Sequence, residues 1–389
     1  MSPAIVLVIF FVLSCGYNIY GVIANDILSS FGMGTADAGL FLTIYQVGAA
    51  ISLALSPILI RKLKSGGLLR FGMAAQIAGF LLLFVIPSKT AALFAFVALG
   101  IGGFYVDSGS NSYIADNYPQ RKQHLIPLLH FTYSFGALVC GYLVLPFKSA
   151  EKWHLAYAII GALMAVLLVS SVSGKRHASS VSCEPEPSES ASLRMLIHDP
   201  SFIMYCLVIL CYGSSQQICA SWFPLYLENV LLAKPVFVAT ASTCFWVGIA
   251  ACRLLGSFIL GKGIRPLKVT MIGLSVSFAS MILALLTSSI PFTFAMIALC
   301  GFASGSVIPF FIVDVNSWYP GSGRITSVFY ILSLTAGRMV FPYLVTLLSN
   351  LISFRISLMS SSILLLAGAV LSLLVYKRRY ADDTQRKSL

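Results

Sequence analysis

Residues 174–200 read GKRHASSVSCEPEPSESASLRMLIHDP, the one long polar connection in a chain of 389 residues. Its Ser, Glu and Pro content leaves too little apolar surface to offset the entropy of ordering, so it is a linker. On either side the composition reverses. The chain is 58% hydrophobic and 10% charged, against about 25% charged in soluble domains, and its mean hydropathy is +0.91. A water-soluble globule is excluded, and about 20 apolar residues suffice for each membrane crossing. Apolar stretches recur at 3–28, 35–60, 67–87, 90–116, 123–147 and 152–173 before the linker, and at 201–230, 235–261, 266–288, 291–318, 322–350 and 353–376 after it. The fold expected is an all-α polytopic membrane protein of twelve transmembrane helices in two six-helix bundles. Residues 1–173 would form one bundle, 174–200 the linker, 201–376 the second bundle and 377–389 a basic tail. The first stretch lacks a basic leader and a small-residue cleavage site, so it is expected to be retained as a helix.

The net charge of +12 is read as topology. With the N-terminus inside, 18 Lys and Arg residues fall on one side and 5 on the other, while Arg253 and Arg338 fall within spans. The positive-inside tendency then places both termini and the linker in the cytoplasm, and a bacterial inner membrane is the location expected. A nucleic-acid binder would need a soluble basic face with interleaved aromatics, and the sequence has none. The partners expected are a small solute, protons and lipids, with the chain acting as a monomer.

The halves repeat. Val47-Gly48 through Lys62 superposes on Val247-Gly248 through Lys262 at an offset of 200, and Tyr118-Pro119 with GALVCGYL at 136–143 matches Tyr319-Pro320 with GRMVFPYL at 337–344 at an offset of 201. Two parallel repeats about an axis along the membrane normal are a transporter architecture, with the solute site near mid-depth. Of nine cysteines, all but Cys183 lie in spans and none has metal-ligand spacing. They are expected to be small hydrophobes, and neither a metal nor another cofactor is expected beyond the proton as coupling ion.

Ionisable groups within spans are costly and face a bundle interior or a wet cavity. Asp26 lies towards the outer end of the first span and Asp107 lies deeper, in the fourth. Each is a candidate proton-coupling group, because desolvation favours the neutral carboxyl and changing exposure releases the proton. Asp26 could equally be an interfacial cap, and Asp107 a structural partner of a neighbouring helix. Asn111 follows Asp107 by four residues and shares its helix face, suited to solute contact or interhelical hydrogen bonding. His130 in the fifth span is either a satisfied core residue or a ligand and proton relay. In the seventh span, Tyr212, Gln216 and Trp222 combine aromatic faces with an amide, which suits a sugar; Trp222 and Tyr226 could instead form an interfacial aromatic belt. Arg253 and Asp314 are expected to form a structural or gating pair. Arg338, deep in the eleventh span, needs a counter-charge or an anionic solute.

On these residues the chain resembles the major facilitator superfamily, and within it the fucose/proton symporter group. NDIL at 25–28 is similar to that group's first-helix motif, and VDSGSNSYI at 106–114 to its fourth-helix acid-plus-Asn pattern, with Asp107 in place of the usual Glu. LLHFTYSFGA at 128–137 resembles a pattern ending SFGA, with His130 at the Gln position, and FWVGIAACRLLG at 245–256 resembles the eighth-helix pattern carrying Arg253. Tyr212, Gln216, Tyr226 and Leu227 fall on a seventh-helix pattern whose position 216 is commonly Glu. The loop signature between helices two and three is degenerate, PILIRKLKSGG at 57–67. The resemblance implies proton-coupled symport of a sugar-like solute by alternating access, not enzymatic activity. The lost acid at 216 and the added Arg338 would also suit an anionic or amphiphilic solute. Proton-driven export, or a non-transporting receptor or lipid-handling role, are the alternatives.

Overall fold

The structure, a computed structural model, describes residues 1–86, 88–149, 151–173, 189–261 and 264–386. Most of the expected linker (174–188), with Lys175, Arg176 and Cys183, lies outside the described residues, as do Lys262 and the last tail residues including Lys387. Every regular element among the described residues is helical. Eleven helices are long and apolar enough to cross a membrane, here spans 2 to 12: Thr35–Ile60, Lys62–Val85, Lys89–Asn117, Lys122–Phe147, Trp153–Val172, Pro200–Asn229, Pro235–Leu255, Pro266–Leu286, Ile290–Trp318, Ile325–Leu348 and Phe354–Tyr380. Span 1 is a broken pair, Pro3–Asn18 and Tyr20–Ser30, bent by 48°. The bend has a local cause. The Asn18 side-chain amide donates to the Ser14 carbonyl at 2.9 Å, and a side chain inserted into the backbone ladder kinks a helix.

The described residues form two compact units. The first comprises Met1–Cys183 with Phe223–Thr243, and the second Glu184–Trp222 with Cys244–Leu389. The sequence expectation assigned all of spans 7 and 8 to the second bundle; their adjoining ends instead group with the first unit. The reason is local packing. A Cβ on Gly141 would sit 3.1 Å from the Ala239 carbonyl oxygen, Tyr142 and Thr240 hydroxyls lie 3.0 Å apart, and Thr243 Oγ1 donates to the Leu138 carbonyl at 2.7 Å.

Within each unit the helix crossings are set by small residues, as association in lipid requires. In the first unit a Cβ on Gly48 would fall 2.2 Å from the Val97 carbonyl oxygen, and one on Gly100 would fall 1.9 Å from that of Tyr45. In the second unit Gly248 meets Ala298 at 2.1 Å and Gly301 meets Phe245 at 2.2 Å in the same way. These four contacts repeat at offsets of 200 and 201, so the weak sequence repeat corresponds to one backbone crossing built twice.

Apolar residues left exposed mark the lipid-facing sides. Span 6 presents Ile159, Leu163 and Val166 at helical spacing, each about half exposed or more. The short helix Glu189–His198 before span 7 buries Leu196 but exposes Leu193, Met195 and Ile197.

Candidate functional site

The first unit carries a charged cluster around Asp26. The bend in span 1 brings its second arm, with Asn25 and Asp26, alongside the end of span 5. There the Leu145–Phe147 turn, containing Pro146, ends the helix and presents Lys148. Lys148 Nζ lies 3.1 Å from Asp26 Oδ2 and 2.7 Å from Glu228 Oε1. Their side chains are 5%, 14% and 25% exposed for Lys148, Asp26 and Glu228, so solvent screens this triad weakly. Beside it, the Asn25 amide donates to Asn229 Oδ1 at 2.6 Å, and the Asn229 amide donates to Thr35 Oγ1 at 3.1 Å. Together Asp26, Asn25, Thr35, Glu228 and Asn229 line a cavity of about 450 Å³. Sequence reasoning found Asp26 but missed Lys148 and Glu228, treating charges at span ends as topology. The repeat held a signal, because Asp26 and Glu228 sit only two residues from equivalent positions at the 200-residue offset.

Asp107 and Asn111 also lie in the first unit. Asn111 donates its amide to Asp107 Oδ1 at 2.9 Å and to the Asp107 carbonyl at 3.0 Å, so the two share a helix face as their spacing requires. Asp107 is exposed. His130 is exposed as well, with its ring edge-on to Phe10 at 5.8 Å between centroids.

The second unit assembles Tyr212, Gln216 and Arg338. Gln216, 4% exposed, donates from Nε2 to the Tyr212 hydroxyl at 3.0 Å, which fixes its carbonyl oxygen towards the Arg338 guanidinium, whose NH2 donates to it. Arg253 and Arg338 both lie within electrostatic reach of the Tyr212 hydroxyl. Arg338 Nε is buried with no hydrogen-bond partner, and among the described residues Arg338 has no carboxylate partner. A charged Arg at the centre of a membrane helix costs about 2.5–3.5 kcal/mol even on insertion scales, so an uncompensated one marks a site. Trp222 and Tyr226 are fully buried, which sets aside the aromatic-belt reading for both.

Arg253 and Asp314 do not form the pair expected from sequence. Asp314, 3% exposed, accepts a hydrogen bond from the Tyr205 hydroxyl at 2.9 Å; the phenol supplies the partner a buried carboxylate needs. Tyr205 went unnoticed in the sequence because a tyrosine on an apolar helix reads as core.

A second missed network closes the opposite ends of spans 7, 10 and 12. Asp199 Oδ2 accepts from the Tyr319 hydroxyl at 2.5 Å and pairs with Arg379 at 2.5 Å, whose guanidinium lies 4.7 Å from the Trp318 ring centroid. Burial pushes the Asp199 carboxyl up, but hydrogen bonds from Tyr319 and the Ser201 backbone and the Arg379 charge outweigh it and hold the carboxyl below its ordinary value. The Tyr319 phenol is pushed up by burial and by its bond to Asp199.

The sequence model of the Major Facilitator Superfamily matches residues 6–320, and the chain belongs to that family of transporters. It is an integral, multi-pass membrane transporter and not an enzyme. No curated protein matches it in sequence. In structure it is similar to a bacterial homologue of the human lysosomal transporter Spinster (TM-score 0.81, 14% identity, 96% of each chain covered). It is also similar to a nucleoside transporter (0.75, 14% identity, 97% of this chain and 99% of the other). The E. coli fucose:proton symporter is a third similar structure (0.65, 17% identity, 96% of this chain and 98% of the other). At these identities the likeness is one of fold.

Proposed function

We propose that this chain is a proton-coupled symporter of a small polar, sugar-like solute, working by alternating access in a bacterial inner membrane with both termini in the cytoplasm. The observation that carries the reading is Lys148 held between Asp26 and Glu228. Two carboxylates and one ammonium leave the cluster one negative charge in excess. A proton on Asp26 neutralises that excess and deletes one of the two ion pairs on Lys148, so protonation is coupled to how firmly the span ends are held. In this reading Asp26 is the titrating group, and Asp107 with Asn111 and His130 links protonation to solute hydroxyls. Tyr212, Gln216, Trp222 and Arg338 supply solute contacts, the aromatic rings stacking on apolar sugar faces and the amide serving hydroxyls.

The test is transport in proteoliposomes holding a pH-sensitive dye, with L-fucose, D-galactose and D-glucuronate as probes. Wild-type protein is expected to carry protons inward with the transported probe and to accumulate it when the outside is acid. Asp26→Asn is expected to lose accumulation but to keep exchange of internal for external solute. Accumulation by Asp26→Asn at the wild-type rate refutes the coupling role.

A further inference from the structure

We infer that the solute carries a carboxylate, held by Arg338 on the face of span 11 turned away from lipid; this deepens the transport reading above and rests on it. Span 11 (Ile325–Leu348) exposes Val328, Leu332, Val340, Leu344 and Leu347, an apolar stripe at helical spacing that faces the membrane. Arg338 lies two residues from the middle of that stripe, about 200° around the helix, and so points away from lipid. It is ten residues from Leu348, about 15 Å of helical rise, close to mid-depth.

Three features make this guanidinium an anion site. Its protein partner is neutral: Gln216 accepts from one NH2, and the amide orientation is set by the bond to Tyr212, so the fork is positioned while its charge is left uncompensated. The Nε is buried without an acceptor, which leaves a buried donor whose burial is costly until it is met. No carboxylate pairs with Arg338 among the described residues. A carboxylate meets a guanidinium edge with two parallel hydrogen bonds and supplies the missing charge, which a neutral hydroxyl does not. The flat two-oxygen edge of a carboxylate is the smallest anionic group that meets the Arg338 fork with two parallel hydrogen bonds, which favours a carboxylate over a bulkier tetrahedral phosphate. With Tyr212 beside the amide, the chemistry fits a hydroxylated acid such as a hexuronate.

The experiment measures binding to the purified full-length protein by thermal shift and by equilibrium titration. Matched probes are used: D-glucuronate and D-galacturonate, their parent hexoses, and glucose 6-phosphate. The uronates are expected to bind at least tenfold more tightly than the hexoses and than the phosphate ester. Arg338→Gln is expected to weaken uronate binding at least tenfold. Gln216→Glu supplies an internal counter-charge to the same guanidinium and is expected to do the same, so the proposal stays testable even where Arg338→Gln does not fold. Hexoses binding as tightly as uronates, a phosphate ester binding in preference, or uronate affinity unchanged in Gln216→Glu overturns it. Proton-coupled flux of a neutral hexose would overturn the carboxylate assignment and leave the symport reading standing. Uronate binding without pH-dependent flux of any probe would do the reverse.

Discussion

Lys148 and Glu228 are 80 positions apart in sequence, lie on either side of the central linker, and form an ion pair of 2.7 Å within one compact unit. Lys148 also holds Asp26, so removing the lysine leaves two carboxylates without their cation. Breaking a buried pair from one side costs about 3–5 kcal/mol, and the partial exposure of Glu228 lowers that. Lys148→Met is therefore expected to destabilise by about 1–3 kcal/mol, measured as a loss of thermal stability in detergent at low salt. Exchanging the charges, Lys148→Glu with Glu228→Lys, is expected to recover part of it. Equal stability of Lys148→Met and wild type would show that the triad contributes nothing net.

The duplicated glycine crossing gives a prediction in pairs. A Cβ at Gly48 or Gly248 meets a backbone carbonyl oxygen at 2.2 or 2.1 Å, and backbone yields less readily than a side chain. Gly48→Ala and Gly248→Ala are each expected to cost about 1–3 kcal/mol through overpacking, seen as lower melting temperature or lower yield of monodisperse protein. Gly34→Ala, where an added Cβ meets nothing within 4 Å, is the control and is expected to behave as wild type. A neutral Gly248→Ala would mean that the crossing in the second unit is looser than its carbonyl contact implies.

Those crossings also explain how far the sequence could be read. Hydropathy and the Gly48/Gly248 offset are one-dimensional signals, and they are enough for span count and repeat. Contact between spans is not one-dimensional. Asp26 was recognisable as a carboxylate in an apolar run, but Lys148 and Glu228 lie at span ends, where charge is ordinary, and only the folded chain brings the three together. Arg253 and Asp314 invited pairing because opposite charges in spans need partners. Asp314 found its partner in a neutral phenol, Tyr205, which no charge count could reveal. Arg338 was identified from its charge alone, while its dependence on Gln216 needed the relative placement of spans 7 and 11.

Lys64 gives a prediction about the kink near the start of span 3. It is not a glycine, yet its φ is 53° with ψ 173°, a region that non-glycine residues enter at a cost of about 1–3 kcal/mol. Lys64→Gly relieves that strain while adding freedom to the unfolded chain worth about 0.5–1 kcal/mol. The expected net result is a stabilisation of about 0–2.5 kcal/mol, read as a rise in melting temperature. A clear fall would indicate that the Lys64 side chain contributes more than its backbone costs.

Asp199 and Arg379 tie the start of span 7 to the end of span 12, and their contribution depends on pH in a direction that can be worked out. The Asp199 carboxyl is held below its ordinary value, whereas in the unfolded chain it titrates near 3.9. A depressed carboxyl binds its proton less readily when folded, so its stabilisation is complete above the unfolded value and is lost as pH falls through the folded one. The melting temperature of Asp199→Asn is accordingly expected to lie below that of wild type by a constant margin from pH 8 down to about 5, and the margin is expected to shrink below about pH 4. Arg379→Gln removes the charge that lowers the carboxyl, and is expected to shrink the margin at neutral pH and to bring the completion of its loss to higher pH. A margin that does not change between pH 8 and pH 3 would mean that Asp199 acts through its neutral hydrogen bonds, and that the Arg379 charge has no part in holding the two spans.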